Sequence, residues 1–273
     1  MKQTKEYKDL TFADDFMFAK VMRNPKLCKR LLEIILDVKI REIRYLDEQK
    51  VFDITYDGKS VRLDVYVEDD QNTIYDCEMQ TTNTKNIPKR TRYYQGMIDL
   101  HLIEKGDDYS KLKKSIIIFI CIEDVFGKGL PKYTFENRCL EDISVALDDG
   151  TTKIFLNAEA AASLVEENEL SNFLKYLAGG KAKGHFTEEL DAEVQKARNN
   201  HEWEVEYMKF MVLQNELLNQ GRAEGRAEGR AEGRTEGRTE LANAIQDLKA
   251  GASKEDLMKK YDSQTVELAI ACR

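Results

Sequence analysis

Apolar and polar residues alternate strictly along two stretches, Val61-Arg62-Leu63-Asp64-Val65-Tyr66-Val67 and Ile74-Tyr75-Asp76-Cys77-Glu78-Met79-Gln80. A period of two predicts β-strands, and the acidic turn between them predicts a hairpin. A loop from Asp69 to Thr73 pairs residue 67 with 75, 65 with 77, 63 with 79 and 61 with 81. One face then carries Val67/Tyr75, Val65/Cys77 and Leu63/Met79, a core face. The other carries Tyr66/Asp76, Asp64/Glu78 and Arg62/Gln80. Slipping the register by one residue would mix the two sets.

Around this hairpin the pattern alternates between helical and strand periods. Phe12, Phe16 and Ala19/Lys20 recur at helical spacing behind Thr11 as N-cap, with Asp14 three residues on as a short-armed capping box. Asn24-Pro25 ends that helix and caps the next, whose stripe is Leu27, Leu31, Ile34/Ile35 and Val38. Residues 40 to 57 alternate less cleanly through Ile43, Tyr45, Val51, Phe52 and Ile54, and Asp57-Gly58 signals a turn. Ile87-Pro88 opens a helix to about Lys105, with Tyr94, Met97/Ile98 and His101/Leu102 on its apolar line, where His101 reads as a packed core histidine. Ser115 to Ile122 is apolar on both faces, the pattern of a central strand covered by helices on both sides. Strands follow around Tyr133 to Leu140 and, across Asp148-Asp149-Gly150, Lys153 to Leu156. Such alternation predicts an α/β domain over residues 1–158.

The remainder is helical. Residues 159–220 carry Leu164, Leu170, Phe173, Leu174, Leu177, Leu190, Val194, Trp203, Tyr207, Phe210 and Met211 at helical spacing, broken by Gly179-Gly180 and Gly184. Residues 221–240 repeat Gly-Arg-Ala/Thr-Glu with a period of four. Its five glycines each cost about 1 kcal/mol inside a helix, so the segment reads as a linker or a fraying helix. Residues 241–273 read as a small helix-turn-helix-like module with Ser253 as a cap. Its last helix, Thr265 to Ala271, offers only Arg273 as a cation, which favours a partner or dimer module over a reader of DNA bases.

Composition narrows the classes. A net charge of −8 over 273 residues argues against a protein that coats nucleic acid, though not against a local basic surface. The five cysteines (Cys28, Cys77, Cys121, Cys139 and Cys272) are widely spaced with no Cys-x-x-Cys pair, so neither a zinc site nor a disulfide framework follows and reduced thiols in a cytoplasm are expected. No apolar run reaches 18 residues and the first residues lack an apolar core, so no membrane span or secretion signal is expected.

Candidate chemistry sits on the polar face of the hairpin. Asp64 and Glu78 fall directly opposite each other there, with Cβ atoms about 5 Å apart. Two like charges at that distance are either bridged by a cation, for which hard oxygen donors suit Mg²⁺ or Mn²⁺, or belong to a solvated face neutralised by Arg62. Lys85, Lys89, Arg90 and Arg92 crowd the start of the following helix, against its macrodipole. Phosphate, the nearby carboxylates or solvent would account for them.

Arg62-Leu63-Asp64-Val65, Glu78-Met79-Gln80 and Lys89-Arg90-Thr91-Arg92-Tyr93-Tyr94, preceded by Leu10 to Phe18 and Asn24-Pro25, resemble the PD-(D/E)XK nuclease superfamily. More narrowly they are similar to its Rpn-type branch, the recombination-promoting nucleases or PD-(D/E)XK nuclease family transposases, over about residues 7–160. The resemblance implies a restriction-endonuclease-like core, a mixed central sheet flanked by helices with an α-helical C-terminal extension. It implies a Mg²⁺- or Mn²⁺-dependent endonuclease that hydrolyses phosphodiester bonds of DNA in recombination. Asp64, Glu78 and the Met79 carbonyl would hold the metal, Asp14 or Asp15 on the first helix would complete the site, and Lys85, Lys89, Arg90 and Arg92 would contact DNA. Gln80 stands where the motif has lysine; it cannot take a proton, and would orient the attacking water. Two other classes remain: a catalytically quiet binding module on the nuclease fold, and a homo-oligomer assembled through the C-terminal helices.

Overall fold

The computed structural model describes residues 5–46, 51–52 and 61–272. They divide into two units, Met1–Glu204 and Val205–Arg273.

The first unit is built on a six-stranded mixed sheet. Its strands are β1 (Ile43–Tyr45), β4 (Val65–Asp69), β5 (Ile74–Gln80), β6 (Ser115–Cys121), β8 (Thr151–Asn157) and β7 (Lys132–Phe135), in that spatial order. A separate ribbon pairs β2 (Val51–Phe52) with β3 (Val61–Arg62). β6, apolar throughout and wholly buried, is a central strand as its sequence predicts, and it lies parallel to both β5 and β8. Between β5 and β6 the chain crosses over through α3 (Ile87–Leu102), which lies on one face of the sheet.

The hairpin has the expected register where it pairs, Val65 with Cys77, Tyr66 with Asp76 and Val67 with Tyr75. The pairing of 63 with 79 and 61 with 81 does not form. The first strand breaks at Leu63-Asp64, and Val61–Arg62 turns away to pair with Val51–Phe52. The polar face is not solvated either: Tyr66, Asp76 and Glu78 are buried. Ile87, Tyr94, Met97 and Ile98 of α3 close over this face with Ile117 and Phe119, and Leu63 joins that cluster. Alternation in the sequence marks two chemically different faces without revealing that a helix covers the polar one. Ile54 and the Asp57-Gly58 turn lie outside the described residues.

The helices differ from expectation in detail. The first, α1 (Asp15–Val21), is capped by Asp14 rather than Thr11. Asp14 reaches back to the Thr11 N–H at 2.7 Å, the half of the expected Thr11/Asp14 capping box that its carboxylate supplies, while the helix itself begins only at Asp15. Its buried side is Met17, Phe18 and Val21, while Phe16 is only half-buried. α2 (Pro25–Leu36) starts as predicted, with Asn24 accepting from the Lys26 N–H. It ends at Asp37 in the left-handed region (φ 55°), which leaves Val38 exposed. α3 stops at Leu102, and His101 is exposed with its Nδ1 at the Met97 carbonyl, not a core histidine. β7 ends at Phe135, short of Leu140.

α4 (Glu169–Leu177) and α5 (His185–Arg198) pack against α1 and α2 in the first unit, so the chain after Ala158 continues this unit. Phe173 meets Phe12 with ring centroids 6.1 Å apart, and the Tyr7 hydroxyl donates to the Ala197 carbonyl at 2.6 Å. Much of the apolar stripe of 159–204 is thereby buried within one chain.

α6 (His201–Lys249) continues into the second unit, which also contains α7 (Lys254–Lys260) and α8 (Ser263–Ala271). The Gly-Arg-Ala/Thr-Glu repeat is helix throughout. Its period places Arg four residues from Arg and Glu four from Glu, like charges at neighbouring positions, so the repeat gains no intrahelical ion pairs. A Cβ at Gly221, Gly225, Gly229, Gly233 or Gly237 would meet nothing within 4 Å. Ala244, Leu257, Val266 and Ala269 are buried. Ser253 caps α7 as predicted, through the Asp256 N–H. Among the described residues no helix is long and apolar enough to cross a membrane.

Candidate active site

The break at Leu63-Asp64 is what assembles the site. Where the ladder would have joined residues 64 and 78 through their backbones, the side chains take over: the Asp64 N–H donates to Glu78 Oε1 at 2.9 Å, and the Met79 N–H donates to Asp64 Oδ2 at 3.2 Å. Each carboxylate is anchored to the other's strand, and both are fixed on the same side of the hairpin.

Strand alternation puts Asp76, Glu78 and Gln80 on the face beneath α3. From the first turn of that helix Arg90 reaches down to them. Its Nη1 donates to Gln80 Oε1 at 2.6 Å, and its Nη2 donates to the Tyr94 hydroxyl at 2.8 Å and lies 3.5 Å from Glu78 Oε2. The guanidinium also stands over the rings of Tyr94 and Phe119, with its carbon 5.4 and 5.1 Å from their centroids. Gln80 is held from both ends, since its Nε2 donates to the Thr82 carbonyl at 2.6 Å.

The electrostatics are those of an acid cluster with too few cations. Burial, then the neighbouring Asp64 and Asp76, raise the Glu78 carboxyl well above its ordinary range. Burial and then Asp64 do the same to Asp76. Burial and Glu78 push the Tyr94 phenol up to about 12. Asp76 is fully buried, and among its neighbours only the Glu78 carboxyl, by a hydrogen bond, and the Arg90 charge oppose that rise.

Of the residues picked out in the sequence, the structure brings together Asp64, Glu78, Met79, Gln80 and Arg90. Lys85, Lys89 and Arg92 are exposed along the loop and first turns of α3. Asp14 is engaged at its own helix end, where Lys5 Nζ lies 2.8 Å from both of its oxygens and Thr11 donates to it. Asp15, beside it, is exposed. Sequence reasoning missed Asp76: it belongs to the polar face by alternation, but it falls opposite Tyr66 and not another acid, so nothing in the pattern singled it out.

Among the described residues no three His, Cys, Asp or Glu side chains converge as a closed metal cage does. Mg²⁺ does not require one, since it is commonly held by one or two carboxylates and completes its shell with water and substrate phosphate. Asp64 and Glu78, anchored on the same side of the hairpin, are the pair that suits such an open site.

No curated protein and no solved structure matches the chain significantly. The sequence profile of the PD-(D/E)XK nuclease family transposases matches residues 8–220 of the 273, and the chain belongs to that family.

Proposed function

We propose that this protein is a metal-dependent endonuclease that hydrolyses phosphodiester bonds of DNA, in the recombination chemistry of transposase-like elements and in the cytoplasm. The observation that carries the reading is the reciprocal anchoring of Asp64 and Glu78 on a buried acidic face that has one guanidinium beside it. Asp64, Glu78 and the Met79 carbonyl would hold Mg²⁺ or Mn²⁺. When bound, the ion lowers the pKa of a water and offsets charge on the phosphate. Arg90 supplies a positioned positive charge for the same phosphate, at an angle fixed by Gln80, Tyr94 and the two aromatic rings. Gln80 has no proton to exchange, so its part is to orient Arg90 with one end while the other is tied to Thr82. Lys85, Lys89 and Arg92, exposed on the approach, suit contact with the DNA backbone. Asp14, tied to Lys5 and Thr11, is assigned to its helix end rather than to the metal.

The C-terminal helix suits self-association. Met208, Val212, Leu213 and Leu217 are exposed on α6, and the like-charged rows that follow favour a second copy over an isolated helix. The alternative, a nuclease fold kept for binding, is favoured by Gln80 in the lysine position.

Plasmid cleavage with Mg²⁺ or Mn²⁺ tests the main reading. Asp64→Asn should abolish cleavage while leaving the fold intact; cleavage unchanged in that variant removes the assignment. Wild-type protein inert on both single- and double-stranded DNA supports the binding module. Light scattering at tens of micromolar tests self-association, which a monomer would refute.

A further inference from the structure

β7 is an edge of the sheet, and beyond it residues 136–149 run out as an arm before the chain returns as β8. The two legs of the arm are bridged at Arg138 and Ala146: the Cys139 N–H donates to the Val145 carbonyl at 3.0 Å, and the Leu147 N–H to the Asn137 carbonyl at 2.9 Å. Arg138 Nη1 donates to the Ile143 carbonyl at 3.3 Å, and Asn137 Nδ2 to Asp149 Oδ2 at 2.7 Å. The arm is thus fixed by its own hydrogen bonds, yet its large aliphatic side chains face water. Leu140 is 92% exposed, Ile143 67%, Val145 52% and Leu147 66%. Isolated exposed aliphatics are ordinary, but four within eight residues of an ordered arm mark a contact surface.

The charge of the arm selects the partner. Five acids, Glu136, Glu141, Asp142, Asp148 and Asp149, stand there with one cation, Arg138. Such a surface repels phosphate and fits an apolar recess with cations about it. The first unit contains such a recess. A cleft of about 550 Å³ between the end of α2 and the start of α4 has Ile34, Val38 and Leu170 in its lining, and its size is that of a pocket that encloses a small ligand. At this cleft the buried Glu33 is faced by Lys29 at 2.9 Å, by Arg30 at 3.9 Å and by the charge of Lys39. With Lys132, four cations stand against Glu33, Asp37 and Glu169, so the excess charge is positive where that of the arm is negative.

β7 links the two features. Lys132, its first residue, lines the cleft, and the arm leaves after Phe135, its last. Among the described residues β7 pairs with β8 alone, which leaves its outer edge open. A second copy rotated by half a turn beside β7 runs antiparallel to the first and brings each arm to the other's cleft, a self-complementary arrangement. We infer that two copies of this chain associate along β7, with Leu140 and Ile143 of each arm seated among Ile34, Val38 and Leu170 of the other, and Glu141 and Asp142 beside Arg30 and Lys39. This interface belongs to the first unit and is separate from the self-association proposed for α6. Because the arm is already formed, little ordering cost is left for docking.

Sedimentation of the full chain at tens of micromolar tests this, with an arm variant (Leu140→Asp with Ile143→Asp) and a cleft variant (Val38→Asp with Lys39→Glu). Each variant alone loses both contacts of the pair, so its dissociation constant should rise by at least about tenfold. Mixed in equal amounts, the two variants bring one intact arm to one intact cleft, and association returns in part. That recovery also shows both variants to be folded. Wild-type mass retained by both variants overturns the inference and leaves α6 as the contact. Loss in each variant without recovery on mixing overturns the seating of arm in cleft. A monomeric wild type overturns this interface and that of α6 together. Should the cleft variant fail to melt cooperatively, Val38→Asp alone, at an exposed residue, takes its place.

Discussion

Replacing Arg90 by methionine separates charge from packing at the site. Methionine keeps an unbranched stem over Tyr94 and Phe119 and removes the guanidinium. At 3.5 Å from Glu78 Oε2, with an effective dielectric near 20, the lost attraction is about 5 kcal/mol. The bonds to Gln80 and Tyr94 add about 1 kcal/mol each. Against this, the variant recovers the cost of burying a cation that is 31% exposed, and Glu78 can take up a proton instead of standing unpaired. A net loss of about 3 kcal/mol follows wherever Glu78 is ionised in the wild type. Its pH dependence has a definite sign. Glu78 already has a folded pKa above its unfolded value, and loss of Arg90 raises it further. Where Glu78 is protonated in both proteins its attraction to the guanidinium is gone, and the loss falls to the contacts with Gln80 and Tyr94 and the attraction to Asp64, about 2 kcal/mol. As pH rises through the wild-type folded value the deficit widens, by about 1.4 kcal/mol per pH unit for one proton. Urea unfolding of the metal-free protein, followed from pH 5 upward until Glu78 ionises in the wild type, measures both. A deficit that stays constant over that whole range would refute the electrostatic account and leave packing as the cause.

Gln80→Lys sets an ammonium against Arg90 and removes the acceptor at 2.6 Å; it should slow metal-dependent cleavage by about tenfold or more in a plasmid assay, and a faster variant would show that the site lacks only its lysine. Glu68→Gln should cost about 2 kcal/mol at pH 7 by urea unfolding, discounted because Arg44 and Lys113 are partly in water. Although burial opposes it, Lys113 and Arg44 hold the Glu68 carboxyl below its ordinary value, so its stabilisation exists above about pH 4.5 and disappears as pH falls; a deficit that persists at pH 3 contradicts this. Gly229→Ala should stabilise α6 by about 0.5–1 kcal/mol in thermal circular dichroism, because its Cβ enters open space. Destabilisation would instead place a close-packed partner helix on the glycine row.

The hairpin, the central strand β6 and the Asn24-Pro25 boundary were legible because each rests on local rules, alternation, two-sided apolarity and capping. That Asp64 and Glu78 come together was legible from a loop length, but not that they meet through side-chain hydrogen bonds at a break in the ladder. Other features depended on long-range packing. The covering of the polar face by α3 turned Asp76 from a surface acid into a buried one, and no pattern within β5 reports that a helix 16 residues long will lie over it. His101 illustrates the converse: its spacing matched the apolar line, but α3 ends one residue later at the edge of its contact with the sheet. The glycines of the repeat leave linker and helix both open in the sequence; it runs as helix between two ordinary helical stretches that spare it the cost of nucleation.

That unbroken helix makes the repeat a screw thread within the second unit. Four residues advance about 6 Å and turn about 400°, a full revolution plus about 40°. Gaining or losing one Gly-Arg-Ala-Glu unit would therefore shift α7 and α8 along the axis by about 6 Å and swing them by about 40° relative to the exposed Met208, Val212, Leu213 and Leu217. Changes in repeat number, which leave every individual contact of the terminal helices intact, would thus set both reach and azimuth, and copies of unequal number would present that module out of phase.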